Sequence, residues 1–161
     1  MTAQLTFKLF GSLFILAGGA ICGSALNKED KKRLLRLDSI ISLLKFIRLQ
    51  IDYYCVPVGV IFERCDPSLL NACGTNKIPS RFGEFIDSID PPLDAPVMSI
   101  LRSFSNELGT SFREEQLKSC DSHIIRLTEL RASVVKDMEK RKKLNRVLCF
   151  SAAAAVVILL I

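Results

Sequence analysis

From Ser111 to Ile161 the sequence contains neither proline nor glycine, fifty-one residues in which nothing forces a helix to stop. Gly109 just before this run reads as the end of an earlier helix. Ser111 followed by Glu114 has the spacing of a capping box, which places the start of the new helix at Ser111. Leu117, Cys120, Ile124, Leu127, Val134 and Met138 then recur at intervals that place them on one helical face. Between Lys136 and Arg146 the surface turns basic, and from Val147 to Ile161 no charged residue occurs. A chain with this ending is expected to be built around one long helix that begins in water and ends in lipid.

The other end has a matching pattern. Leu9 to Leu26 is eighteen residues without a charge, roughly 27 Å of helix and close to the ~30 Å of a bilayer core. A cleaved signal peptide is the competing reading, since Gly23, Ser24 and Ala25 supply small residues beside Cys22. The basic residues Lys28, Lys31, Lys32, Arg33 and Arg36 directly after the run favour an uncleaved anchor, because such clusters resist translocation. Lys140, Arg141, Lys142, Lys143 and Arg146 flank the C-terminal run in the same way. The net charge of +5 is therefore assigned to membrane flanking and not to nucleic acid. The fifteen residues of Val147 to Ile161 make roughly 22 Å of helix, which spans with help from snorkelling cations or inserts halfway. The expected layout is a short extracytoplasmic N-terminus at 1–8, a membrane helix at 9–26, a cytoplasmic domain at 27–146 and a second membrane helix at 147–161, with both termini outside. Gly19 and Gly23 have the GxxxG spacing of close helix packing in lipid.

Within 27–146 every apolar pattern has helical period and none alternates, so the fold class is all-α. Asn27 can cap a helix to about Tyr54 with Leu34, Leu37, Ile41, Leu44 and Ile51 as its stripe, widened by Ile40, Leu43 and Ile47. Pro57 opens a short helix with Val58, Ile61 and Phe62; Ser68 caps another turn before a loop from Asn71 to Pro79. Phe82, Phe85, Ile86 and Ile89 mark a helix over Ser80 to Ile89, ended by Pro91 and Pro92. Leu93, Val97, Ile100, Leu101, Phe104 and Leu108 mark the next, up to Gly109. The expected architecture is an antiparallel helical bundle whose two long helices are pillars continuing toward the N-terminal and C-terminal transmembrane segments.

Chemistry-bearing constellations are missing from the sequence. It has no phosphate-binding glycine loop, no HExxH and no GxSxG. Cys55, Cys65, Cys73 and Cys120 have no metal-ligand spacing and read as small buried apolar residues, while His123 stands alone and reads as a helix-surface histidine. Glu63 with Asp66, and Glu114 with Glu115, fit helix ends better than an acid and base pair. No enzyme, cofactor, metal or small-molecule substrate is expected.

Three stretches carry a family resemblance. Gln50-Ile51-Asp52-Tyr53 followed by Pro57, Val58 and Phe62 is one, and Leu108-Gly109-Thr110-Ser111-Phe112-Arg113-Glu114-Glu115-Gln116 is the second. The third is the ending Val157 to Ile161 after a Lys/Arg-rich helix. Together these resemble the stage III sporulation AB family of endospore-forming bacteria, itself similar to the cytoplasmic domains of F-type inner-membrane platform proteins of type II secretion and type IV pili. Gln50 stands where that family usually has Glu, Tyr54 where it has Gly, and Phe112 where it has Asp. The resemblance implies a non-enzymatic membrane platform in the channel joining mother cell and forespore, in the mother-cell membrane. Its implied partners are a stage III sporulation AA-type ATPase and other channel proteins. It singles out Gln50, Tyr53, Pro57, Phe62, Leu108, Gly109, Glu114 and Gln116 as packing or partner-contact positions. A membrane-tethered helical regulator or sensor that binds a cytoplasmic protein is the alternative.

Overall fold

The structure, a computed structural model, describes residues 29–54 and 57–160, without the side chains of residues 58, 146, 149, 150 and 152–160. Among the described residues all regular structure is helical. Helix α1 covers residues 29–54. α2 (Val58–Ile61) runs into a 3-10 turn (Phe62–Arg64), and α3 (Pro67–Cys73), α4 (Phe82–Asp87), α5 (Ala95–Glu107) and α6 (Arg113–Leu160) follow. The chain divides into two compact units, one of Arg33–Ser133 and the other of Met1–Lys32 with Val134–Ile161.

In the Arg33–Ser133 unit α1 is the core helix. Ile40, Leu43, Leu44 and Ile47 are fully buried, flanked by Leu37, Ile41 and Ile51, so its apolar face covers more than a narrow seam. α6 lies antiparallel to it. Arg113 meets Asp52, Asp121 meets Arg48 and Arg131 meets Asp38, so positions rise along one helix as they fall along the other. The expected pairing of the two pillars is present in this unit, with Leu127 and Cys120 as the buried centre of the α6 stripe.

The short helices close the other side of α1 through aromatic rings. Phe82 stacks edge-on against Phe104 at 4.9 Å, and Phe85 lies 5.4 Å from Phe82 and 6.0 Å from Phe62. All four side chains are buried. Arg36 of α1 reaches across to the end of α3, where its Nε donates to the Cys73 carbonyl oxygen at 2.9 Å. The next residue, Gly74, takes φ 99°, a left-handed conformation that favours glycine, and a Cβ there would displace the Arg36 guanidinium.

Several expected boundaries move. α3 is capped by Asp66 and not Ser68: the Asp66 carboxylate accepts from the Ser68 N–H at 2.8 Å, with Pro67 filling the first helical position. α3 also extends to Cys73, so the loop begins at Gly74 and not Asn71. α4 begins at Phe82 and not Ser80, because the Ser80 N–H donates outside the helix to Glu84 Oε2 at 2.8 Å. The Asp90–Pro91 peptide is cis.

The second unit, by itself, contains the start of α1 and the end of α6. Its backbone is helical through Leu160, and Lys31, Lys32, Lys140, Arg141, Lys142 and Lys143 are exposed. Among the described residues no helix is long and apolar enough to cross a membrane. The span expected at 9–26 and Lys28 lie outside the described residues, and in 147–161 side chains are described only for Val147, Leu148 and Ser151.

Candidate interaction surface

The two internal stretches that carry the resemblance are separated by about fifty residues, yet the fold joins them. Arg113, the first residue of α6, donates from Nη2 to the main-chain oxygen of Asp52 and, at 2.8 Å, to its Oδ1, while its Nε donates to the Ile51 oxygen at 3.4 Å. This clamp fastens the end of α1 to the start of α6. Asp52 also accepts from Arg48 at 3.4 Å, and Arg48 in turn forks onto Asp121 at 2.6 and 3.2 Å, so the charges at this end are paired in a chain.

With the carboxylates and guanidinia engaged, large apolar side chains are left facing water. Tyr53 is 75% exposed, Tyr54 61% and Phe112 87%. Pro57 is exposed beside them in sequence, and Glu114 and Glu115 are exposed on the first turn of α6. Aromatic side chains present large area at low conformational cost, which is why they dominate contact surfaces. From Arg33 to Tyr53 the helix advances roughly 30 Å, so this end is the one far from the basic cluster of α1.

The singled-out positions divide into buried and exposed ones. Phe62 is buried in the ring cluster, and Gln50 is 7% exposed with its Oε1 lacking a partner. Leu108 closes α5 in extended conformation, and Gly109 turns the chain at φ 83°. Gln116 Nε2 donates back to the Ser111 carbonyl oxygen at 2.7 Å. That bond replaces the expected Ser111–Glu114 box: the helix starts at Arg113, set by the clamp, so Ser111 and Glu114 are not in capping register and Glu114 projects outward. Of the basic positions, Arg33 pairs with Asp94 and Arg36 is held at Cys73, both within the bundle. Burial lowers the Arg36 guanidinium from its ordinary value, and its Nη2 has no partner.

His123 is not on the surface as expected; it is 3% exposed. Its Nδ1 faces the Ser119 carbonyl oxygen at 2.8 Å, its ring lies 5.4 Å from Phe104, and Nε2 is 3.8 Å from Glu107 Oε1. Cys120, His123, Ile124 and Leu127 share one helical face, so the spacing held the signal. The Ser119 hydroxyl donates to Glu107 Oε2 at 2.5 Å and holds that carboxyl below its ordinary range, with His123 assisting. The Ser119 hydroxyl also lies 3.4 Å from His123 Nδ1, and the group joins α5 to α6. Cys65, Cys73 and Cys120 are free and, as expected of small apolar residues, buried; Cys55 lies outside the described residues. Burial pushes the Cys73 thiol up to about 12 and the Cys120 thiol to about 11, which keeps both protonated and unreactive. Among the described residues no three His, Cys, Asp or Glu side chains are grouped to hold a metal ion.

Among the described residues the fold is a helical bundle in which polar side chains fasten helices and the exposed aromatics sit where two sequence signatures meet. The family described as stage III sporulation protein AB matches residues 84–161, just under half of the chain, which includes the second signature and all of α5 and α6. Over these residues the chain is similar to the stage III sporulation protein AB family. No curated protein and no solved structure matches.

Proposed function

We propose that the protein is a non-enzymatic membrane platform of the mother cell–forespore channel, and that the Tyr53–Tyr54–Phe112 end of its bundle docks a cytoplasmic secretion-type ATPase. The observation that carries the reading is the clamp of Arg113 on Ile51 and Asp52, which unites the two signature stretches under an exposed aromatic patch. The uncharged ends at 9–26 and 147–161, each bordered by a basic cluster, support two spans with the bundle between them in the cytoplasm. In that arrangement the aromatic end of α1 faces away from the bilayer, toward a soluble partner.

The test is capture of the stage III sporulation AA-type ATPase by the full-length protein in membranes. Capture is expected, with Phe112→Ala and Tyr53→Ala each lowering it about tenfold, the loss of ~1.4 kcal/mol at a contact residue. Absence of capture by the unaltered protein, or capture unaffected by both substitutions, refutes the docking reading. Reporter fusions at the two ends test the topology separately, and a cytoplasmic C-terminus refutes the two-span layout.

A further inference from the structure

Among the described residues the last buried side chain of α6 is Met138. From Glu139 onward every described side chain is exposed, including the apolar Leu144, Val147 and Leu148 at 62%, 64% and 56%. The helix thus leaves its packing at Met138 and continues with its circumference open. Lys140, Arg141, Lys142 and Lys143 follow directly, four exposed cations in a row. Successive helical residues are turned by about 100°, so these four point to four sides and complete one turn. Among the described residues only Lys140 has a carboxylate at ion-pair distance, Asp137 at 4.0 Å.

The arrangement selects what can surround it. A basic helix lying along a surface gathers its cations on one face, with apolar residues on the other. Here the cations occupy every side and the exposed apolar residues come after them along the axis. Lys140 and Lys143, three residues apart, also repel each other, so anions placed around the helix stabilise the ring. A nucleic acid would meet one side of it and leave Leu144, Val147 and Leu148 in water.

We infer that Lys140 to Lys143 form a collar that binds anionic phospholipid headgroups, with α6 upright in the leaflet and Leu144 as its first lipid-facing residue. The inference rests on the two-span reading proposed above. The dimensions agree with it. Four residues rise roughly 6 Å, and the headgroup layer on each side of a bilayer core is roughly 5–8 Å thick. From Leu144 the helix runs seventeen residues to Leu160, roughly 26 Å, whereas Val147 to Ile161 gives roughly 22 Å. Placing the lipid boundary at Leu144 therefore brings the helix close to the ~30 Å of the core. Arg146 follows Lys143 by only about 4.5 Å of helix, a depth that the stem of an arginine spans.

The experiment uses the absence of tryptophan from the chain, which makes Leu144→Trp a single fluorescent reporter. The full-length variant is reconstituted in vesicles of phosphatidylcholine with a minor share of phosphatidylglycerol, and bromine is carried on the acyl chains of one lipid or the other. Both lipids are expected to quench the reporter, with phosphatidylglycerol enriched beside it about fivefold for a single cation–headgroup contact. Replacing all four cations by Gln is expected to abolish the enrichment and keep the quenching. Each single Gln variant is expected to weaken the enrichment to a similar degree. Ile125→Trp, on the exposed side of α6 within the bundle, is the reference and is expected to be quenched by neither lipid. No enrichment in the unaltered collar, no quenching at Leu144→Trp, or equal quenching at Ile125→Trp overturns the collar. An effect confined to Lys140 and Lys143 overturns the upright arrangement. DNA binding through the four cations without lipid enrichment overturns the choice of ligand. Release of the protein from the vesicles by alkaline carbonate refutes the two-span reading and the collar with it, whereas retention without enrichment refutes the collar alone.

Discussion

The same substitution at two phenylalanines separates the two roles assigned to aromatic residues. Phe104 is fully buried, touching Phe82 at 4.9 Å on one side and His123 at 5.4 Å on the other, and it fixes α5 between α4 and α6. Phe104→Ala removes its transfer free energy and leaves a cavity under rings that are too rigid to collapse into it. The expected cost is about 3–5 kcal/mol. For a unit of about a hundred residues each kcal/mol moves the melting temperature by roughly 4–8 °C, so a fall of about 12 °C or more is expected from a total stability of ~5–15 kcal/mol. Phe112, at 87% exposure, loses almost no buried area, and Phe112→Ala is expected to change stability by less than ~0.5 kcal/mol. Thermal unfolding of the full-length protein in detergent, followed by far-UV circular dichroism, reads both. Comparable shifts for the two variants, or less than ~1 kcal/mol at Phe104, would refute the assignment of Phe104 to the core and of Phe112 to the contact surface.

Gly74→Ala forces a Cβ onto a residue at φ 99°, and a loss of about 1–2 kcal/mol in a melting experiment is expected; no loss would mean that residue 74 does not hold the left-handed turn that ends α3. Gln50→Leu removes a buried Oε1 that has no partner, so stability is expected to hold or rise by up to ~1 kcal/mol, and a clear decrease would reveal a bond to that atom. The Glu107 carboxyl is held below the ordinary 4.5 by the Ser119 hydroxyl. A group with a lowered folded pKa contributes stability that is present above pH 4.5 and lost as pH falls through the folded value. Melting temperatures measured from pH 6 downward should therefore decline more steeply in the wild type than in Glu107→Gln, and parallel curves would remove Glu107 from the account.

The helices were legible because apolar period is a property of neighbouring residues. Leu37, Ile41, Leu44 and Ile51 announce α1, and Phe82, Phe85 and Ile86 announce α4, without reference to anything else in the chain. What the sequence withheld depends on residues far apart. The start of α6 is set by Arg113 reaching Ile51 and Asp52, so a local capping rule misplaced it by two residues. Arg33 and Arg36 looked like members of one basic cluster until Asp94 and the Cys73 carbonyl were placed opposite them. His123 is the instructive miss, since its position between Cys120 and Leu127 already put it on the buried face and only its residue type argued for the surface. Of the interaction surface, the signature stretches could be read, but their meeting and the exposure of Tyr53 and Phe112 could not.

The clamp has a consequence for how this chain can vary. Arg113 and Arg36 both end on main-chain oxygens, at Ile51, Asp52 and Cys73. Every amino acid carries that oxygen, so the receiving side of each tie survives any replacement that keeps the backbone in place. The giving side has no such freedom, because a lysine offers a single ammonium where the guanidinium offers a planar fork. The joint is therefore written into one partner only: substitutions at the two arginines would open it, while Asp52 could drift to an uncharged residue and keep its main-chain half of the contact.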